Sequence, residues 1–296
     1  MPTAVNLDGA LVPPGEARVS VFDRGFLQGD SVYEVLRTYG GRPFEPGRHL
    51  ARLARSAERA ALPLPWDAGR ALREIERTLE AARGPDAPAP GAAPWNAGER
   101  SVRLVVTRGG GEAWPSVAPA WLVIAEPLHA PPLAAYREGV RLELVEVDRS
   151  GVDASAKTGA RLSHVLALRA ARAAGAEEAL FADARGRVTE GTSSNLFLVR
   201  AGRLVTPPLA AGILEGVTRG LVLALARQEG VPVEEAPVAE AELGAADELF
   251  ITSTAREILP ATRLGDRPVG DGRPGPVTGA LRAAFRRLAD AAARGA

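Results

Sequence analysis

Val188-Thr189-Glu190-Gly191-Thr192-Ser193-Ser194-Asn195-Leu196-Phe197-Leu198-Val199 carries one carboxylate into a run of small residues and then into an apolar strand, Asn195 to Val199. Upstream, Glu178 to Ala182 is another short apolar run that reads as a strand. The small-residue run therefore lies between two strands, where a backbone must pass close to something. A carboxylate placed there can face a pyridine nitrogen and keep it protonated. It is equally compatible with a solvated turn. Outward from this stretch, strands and helices alternate: strand Val140 to Val147, helix Arg161 to Ala174, helix Val217 to Gln228, strand Glu248 to Thr252 and a last helix Val277 to Ala293. The class is α/β or α+β.

The first third differs in texture. Ser31 to Tyr39 alternates like a half-buried strand, Gly40-Gly41 signals a hairpin, and Arg42-Pro43-Phe44 returns. A helix from Arg48 to Leu62 puts Leu50, Leu53, Ala57 and Ala60 on one face, and a second covers Ala68 to Ala82. Val102 to Thr107 and Ala120 to Ala125 read as buried strands, and the Pro-, Gly- and Ala-rich stretch Gly84 to Pro94 as a surface loop. The proline-bearing segment Glu126 to Pro132 reads as a connection between domains. The expected division is a small N-terminal domain over 1–126, a linker over 127–133 and a larger domain over 134–296.

The 36 basic and 36 acidic residues of this 296-residue chain cancel, so no net field draws it to nucleic acid or an anionic membrane. Small molecules are the expected partners. No cysteine is present, which excludes disulfides and thiolate chemistry, and His49, His129 and His164 form no ligand cluster, so no metal is expected. No signal-like or membrane-spanning run occurs, which makes the cytoplasm the expected location. Of the 36 basic residues, all but Lys157 are arginine. Arginine stays protonated, whereas a desolvated lysine amine can attack a carbonyl. A lone lysine therefore marks a place for amine chemistry, or else one surface lysine in a composition drifted toward arginine.

Two further segments offer anion contacts. Gly216-Val217-Thr218-Arg219 opens a helix, so free N–H groups, the helix dipole and the Thr218 hydroxyl suit a phosphate, although an ordinary helix start would look the same. Ser253-Thr254-Ala255 follows the apolar strand at Leu249-Phe250-Ile251 and adds hydroxyls, or is a polar turn.

Lys157-Thr158, Val188 to Phe197, Gly216 to Arg219 and Ala246 to Ala255 stand in the order and spacing of class IV aminotransferases, and the chain resembles that family over nearly its whole length. Phe22 to Phe26, Gly29 to Val35 and His49 to Leu53 are similar to family segments as well. The resemblance implies a two-domain fold-type IV enzyme, with a smaller N-terminal α/β domain and a larger C-terminal domain around a β-barrel-like core. It implies pyridoxal 5'-phosphate (PLP) as cofactor, with Lys157 forming the internal aldimine and then moving the proton as general base and acid. Glu190 would pair with the pyridine nitrogen. Arg52, Val217, Thr218, Ser253 and Thr254 would hold the cofactor, chiefly its phosphate. Tyr33, Arg103 and Ala255 would line the substrate side, and a homodimer is implied.

The pattern also departs from parts of the family. After Lys157 comes Thr158-Gly159-Ala160-Arg161-Leu162, without the Asn-Tyr pair usual in the branched-chain enzymes; the spacing is more similar to the D-amino-acid aminotransferases and the aminodeoxychorismate lyases. The D-amino-acid branch's carboxylate-binding arginine and histidine would fall on Ala113 and Pro115. Arg103 is the remaining candidate for that role, unless it faces outward. Gly109-Gly110-Gly111 reads as a loop over the substrate or as a plain turn. The expected activity is amino transfer between a D-amino acid or a branched-chain L-amino acid and a 2-oxo acid. The alternative is elimination from aminodeoxychorismate to give 4-aminobenzoate and pyruvate.

Overall fold

Strand β3 (Ser31–Tyr39) is buried along nearly its full length because both of its faces are covered. Val32 and Leu36 point into a core shared with Leu50, Leu53 and Ile75, all within 5% of complete burial. Each such side chain contributes about 1.5–3 kcal/mol on leaving water. Tyr33, Arg37 and Tyr39, on the opposite face, look toward the second half of the chain. The computed structural model describes residues 3–83, 93–110, 118–146, 155–183 and 185–295. Most of the loop expected at Gly84 to Pro94, together with Gly111, Ala113, Pro115 and Val147, lies outside the described residues.

Six strands form the first sheet in the order β2-β1-β6-β5-β3-β4. They are β1 (Ala4–Leu7), β2 (Ala10–Val12), β3, β4 (Arg42–Pro43), β5 (Arg100–Thr107) and β6 (Ala120–Pro127). Helices α2 (Pro46–Arg59) and α3 (Ala68–Ala81) cover one face, and the short α1 (Arg24–Gln28) precedes β3. β5 alternates as a strand with one covered face must, with Val102, Leu104 and Val106 inward and Arg103 exposed. The helix expected from Arg48 starts earlier, with Pro46 in its first turn, and stops earlier, since Ala61 takes a left-handed φ of 46°. Neither β1 nor β2 is foreseen by the sequence pattern; each is too short to show a period.

The second sheet has ten strands, in the order β12-β11-β10-β14-β15-β7-β8-β9-β13, with β16 beside β15. Their spans are β7 (Val140–Glu146), β8 (Glu178–Ala182), β9 (Arg187–Gly191), β10 (Asn195–Arg200), β11 (Arg203–Thr206), β12 (Val233–Glu235), β13 (Val238–Ala239), β14 (Glu248–Ser253), β15 (Glu257–Leu264) and β16 (Arg267–Pro268). Against it pack α4 (Leu133–Glu138), α5 (Leu162–Ala173), α6 (Val217–Gln228), α7 (Glu240–Gly244) and α8 (Pro276–Arg294). β9 and β10 stand five places apart in the strand order, which in a flat sheet is about 24 Å. Yet only Thr192, Ser193 and Ser194 join them, a link that spans about 14 Å at most. The sheet must therefore curl, and this is the half-barrel that corresponds to the barrel-like core implied by the family resemblance. Phe197 and Phe250, paired in register on β10 and β14, stack at 4.9 Å inside one of its cores.

The stretch Val188 to Asn195 is not simply a connection between strands. Arg187–Gly191 is itself a strand, with Glu190 inside it and buried. Its alternation is hidden because it is covered on both faces, so the polar Thr189 and Glu190 are buried along with Val188.

Candidate active site

Although Lys157 leads into α5 of the second half, its backbone is stitched to the first sheet. The Tyr33 N–H donates to the Lys157 carbonyl at 3.0 Å, the Gly159 N–H to the Ser31 carbonyl at 2.9 Å, and Thr158 bridges Val32. The Lys157 N–H donates to Ser56 Oγ on α2 at 3.0 Å. The side chain is thereby aimed along β3, with Nζ 4.7 Å from the centre of the Tyr33 ring. Burial holds the amine below its ordinary pKa, and the neighbouring Arg52 and Arg161 act in the same direction, against Tyr33 and Glu34. A lysine so placed keeps more of its neutral, nucleophilic form.

Lys157 looks into a cleft that Arg52, Glu190, Val217, Thr218, Ser253 and Thr254 also line. Glu190 is anchored by the Leu214 N–H, which donates to Oε2 at 3.0 Å. At one end of the cleft α6 begins. Gly216 caps it without any side-chain hydrogen bond, so the first N–H groups of the helix point into the cleft. A Cβ at Gly216 would lie 2.0 Å from Asn195 Oδ1, and Asn195 is held by the Leu214 carbonyl, so no larger residue fits there. Arg52 reaches the same end from α2. Its Nε and Nη2 donate to the two oxygens of Glu34 at 2.7 and 2.8 Å, and its Nη1 donates to the Glu215 carbonyl at 2.9 Å. The Thr252 Oγ1 is buried on this wall and has no hydrogen-bond partner among the described residues.

Like Thr252, Glu34 is a residue here that sequence reasoning did not single out. Burial alone would raise its carboxyl, but the charge and hydrogen bonds of Arg52, with His49 at 2.8 Å, outweigh burial and hold it at about 2. The signal was present in the strand: Val32, Glu34 and Leu36 share the inward face, and a charge on that phase calls for a buried partner.

Beyond Lys157 the cleft opens into a second cavity, where Tyr33, Arg103 and Ala255 lie with Arg161 and Arg256. The Arg103 guanidinium is exposed, yet it is turned to the Tyr33 ring at 5.3 Å rather than away from the site. Arg161 stands 6.0 Å from the same ring and donates to the Thr192 carbonyl. Arg256, directly after Ala255, pairs with the buried Glu178 at 2.9 Å. All ten expected site residues thus come together around two joined cavities, with Lys157, Ser253 and Thr254 common to both. His164, read as a packing residue, packs edge-on to Phe181 at 5.1 Å and also lines the first cavity.

Residues 31–264 match the family model described as amino-transferase class IV. A putative branched-chain-amino-acid aminotransferase of Methanocaldococcus jannaschii is 37% identical over 291 residues, covering 96% of each chain. The D-alanine aminotransferase of Bacillus licheniformis is 31% identical, covering 93% of each. Among solved structures, the branched-chain aminotransferase of Thermoproteus uzoniensis with norvaline superposes with a TM-score of 0.85 at 31% identity, covering 97% of this chain and 94% of that one.

Proposed function

Because this chain belongs to the class IV aminotransferases and is therefore a PLP-dependent transaminase, we propose that it moves the amino group of a D-amino acid or a branched-chain L-amino acid to a 2-oxo acid, with Lys157 as the catalytic residue. The observation that carries the assignment of Lys157 is its position: a burial-depressed amine at the junction of an anion-binding end and an arginine-bearing cavity.

The residues fit the cofactor. A phosphate finds uncapped N–H groups at Val217 and Thr218, the unpartnered Thr252 hydroxyl, and Arg52, with Ser253 and Thr254 beside them. An acidic partner for the ring nitrogen stands ready in Glu190. When bound, PLP supplies an electron sink for the electrons released at the substrate α-carbon. The protein's part is to hold and move a proton. Lys157 Nζ accepts the α-proton as a neutral amine and returns it on the other side of the transfer, which its lowered pKa favours. Glu190, tied to the Leu214 N–H, holds a proton at the ring nitrogen. Tyr33, Arg103 and Ala255 orient the substrate beside Lys157, and the Arg103 guanidinium offers a carboxylate anchor.

The same reading includes a homodimer. What supports it is the apolar surface of Phe22, Phe26 and Leu27 at 58–68% exposure and of Leu162, Val165 and Leu166 at 51–71%. The two segments adjoin where Gly29 meets Ala160. Sedimentation of the wild type against Phe26→Asp tests it. The division at 127–133 is part of the proposal too, supported by the end of the first sheet at Pro127 and the start of the second at Val140. A cytoplasmic location is likewise proposed, and cell fractionation tests it; no helix among the described residues is long and apolar enough to cross a membrane.

The activity is tested by the visible spectrum of the PLP-loaded protein with D-alanine, L-leucine or L-glutamate added singly. Loss of the band with one donor, and its return with pyruvate or 2-oxoglutarate, is the expected result and gives the stereochemical class. A band that no amino acid alters would count against transfer and for the lyase.

A further inference from the structure

We propose that Glu178 is a positioning residue for the substrate end of the site, fixing Arg256 directly and Arg161 through the Thr192 carbonyl. The inference rests on the reading of this chain as a transaminase that binds its substrate beside Tyr33.

Glu178 opens β8, a strand that is buried at every position, and its own side chain is wholly inaccessible. A carboxylate there is stable only if its oxygens are fully matched. Beyond the adjacent Ala179 N–H, which donates to Oε1 at 3.2 Å, the match comes from two places. The turn between β9 and β10 turns its polar groups inward: the Thr192 N–H donates to Oε1 at 3.1 Å, the Thr192 hydroxyl donates to the same oxygen, and the Ser193 and Ser194 hydroxyls donate to Oε2 at 2.8 and 3.3 Å. This accounts for the hydroxyl run that follows Glu190. It also accounts for Gly191, where a Cβ would lie 2.3 Å from Ser194 Oγ and 3.1 Å from Glu178 Cγ.

The other partner is Arg256, whose Nη1 donates to Glu178 Oε2 at 2.9 Å and to Ser193 Oγ at 2.8 Å. Arg256 faces the substrate cavity with a side chain only 13% exposed. Its backbone is fixed as well. Its carbonyl accepts from the Tyr136 hydroxyl, and the next residue, Glu257, is held in a left-handed φ of 57° by Arg37, Tyr39 and Arg286. Arg161 depends on the same turn, since its guanidinium donates to the Thr192 carbonyl. One buried carboxylate thus sets the turn, and the turn and the carboxylate together set two of the guanidiniums that line the cavity of Tyr33. Thr192, Ser193 and Ser194 also line the first cavity, but no hydrogen bond of Glu178 goes to Arg52 or to the α6 terminus, so its larger effect is expected on the substrate rather than on the phosphate.

The test is a double-mutant cycle on the PLP-loaded enzyme. KM and kcat for the amino donor that the wild type uses, and the PLP dissociation constant, are measured for wild type, Glu178→Gln, Arg256→Met and the double variant. Gln keeps the shape, but its amide N–H₂ opposes one of the donors. The expected result is a KM raised about tenfold in Glu178→Gln, with kcat and PLP affinity within about twofold of wild type. In the double variant the rise in KM should fall clearly short of the product of the two single-variant factors, because part of Glu178's effect passes through Arg256. Factors that multiply fully, an unchanged KM, or a PLP affinity that falls as far as KM rises would each overturn the proposal. If Glu178→Gln does not fold, Ser193→Ala removes the hydroxyl that bridges Glu178 and Arg256, and a KM raised about threefold at unchanged PLP affinity takes its place as the expected result. A wild type that converts no amino donor overturns the transaminase reading itself, whereas an active wild type with additive variants overturns only the role of Glu178.

Discussion

At the proposed phosphate end of the cleft the guanidinium of Arg52 reaches the site, and it is already matched by the buried Glu34. At the substrate end Arg103 and Arg161 stand beside Tyr33 with no carboxylate partner among the described residues, and only Arg256 is paired. The first end offers mostly groups that secondary structure leaves over, namely the N–H groups at the start of α6 and hydroxyls at the end of β14. The second offers side chains whose charge is still available. An end of the first kind tolerates little change in backbone or shape, while an end of the second kind can be altered one side chain at a time. Lys157 lies between them and lines both.

The largest effect should therefore come from the junction. Lys157→Ala is expected to lower kcat/KM by about 10⁴-fold or more and to remove the visible band of bound PLP; a variant that keeps the band would separate cofactor binding from this lysine. Next comes the ion pair behind the phosphate end. Glu34→Gln should destabilise the protein by about 3–5 kcal/mol in urea unfolding, because it leaves Arg52 buried and unmatched. A loss under about 1 kcal/mol would mean that the two ends are less different than their geometry says.

The pH dependence of wild-type stability follows from the same pair. The folded pKa of Glu34 lies below its ordinary 4.5, at about 2, so its contribution is present above 4.5 and lost as pH falls toward 2. The amount is on the order of 3 kcal/mol, and Glu34→Gln should remove that part of the acid transition.

Gly216→Ala tests shape at the phosphate end without changing charge. Its Cβ must displace Asn195, and PLP affinity should fall about tenfold to a hundredfold with little change in the KM for the amino donor. The smallest expected effect is at the substrate end: Arg161→Met should raise that KM about tenfold and leave PLP affinity unchanged. If Gly216→Ala and Arg161→Met moved the same constant, the division of the cleft into two ends would not hold.

Much of this was legible in the chain. The strands at 31–39 and 178–182 and the helix at 217–228 were readable because each is long enough, or sharply enough bounded by glycine and polar residues, to show its period. The shortest elements offer no such cue: β1, β2 and β13 each span four residues or fewer and exist because neighbouring strands supply their hydrogen bonds. The strand at 187–191 was obscured for a different reason. Both of its faces are covered, so burial gives it no alternation, and its polar residues look like those of a turn until Phe181 and Leu214 are seen to bond them.

The sequence by itself determined the fold and singled out the amine proposed to react. A chain with one lysine among 36 basic residues, and with its motifs in a fixed order, leaves little freedom over which amine acts and on which scaffold. The tertiary structure alone decided which charges are matched. Glu34 meets Arg52 across 18 positions, Glu178 meets Arg256 across 78, and Arg37 meets Glu257 across 220. No local pattern encodes such pairs, because a buried carboxylate takes its partner from whichever element the packing brings within about 3 Å, and that is settled only when the sheets and helices have packed.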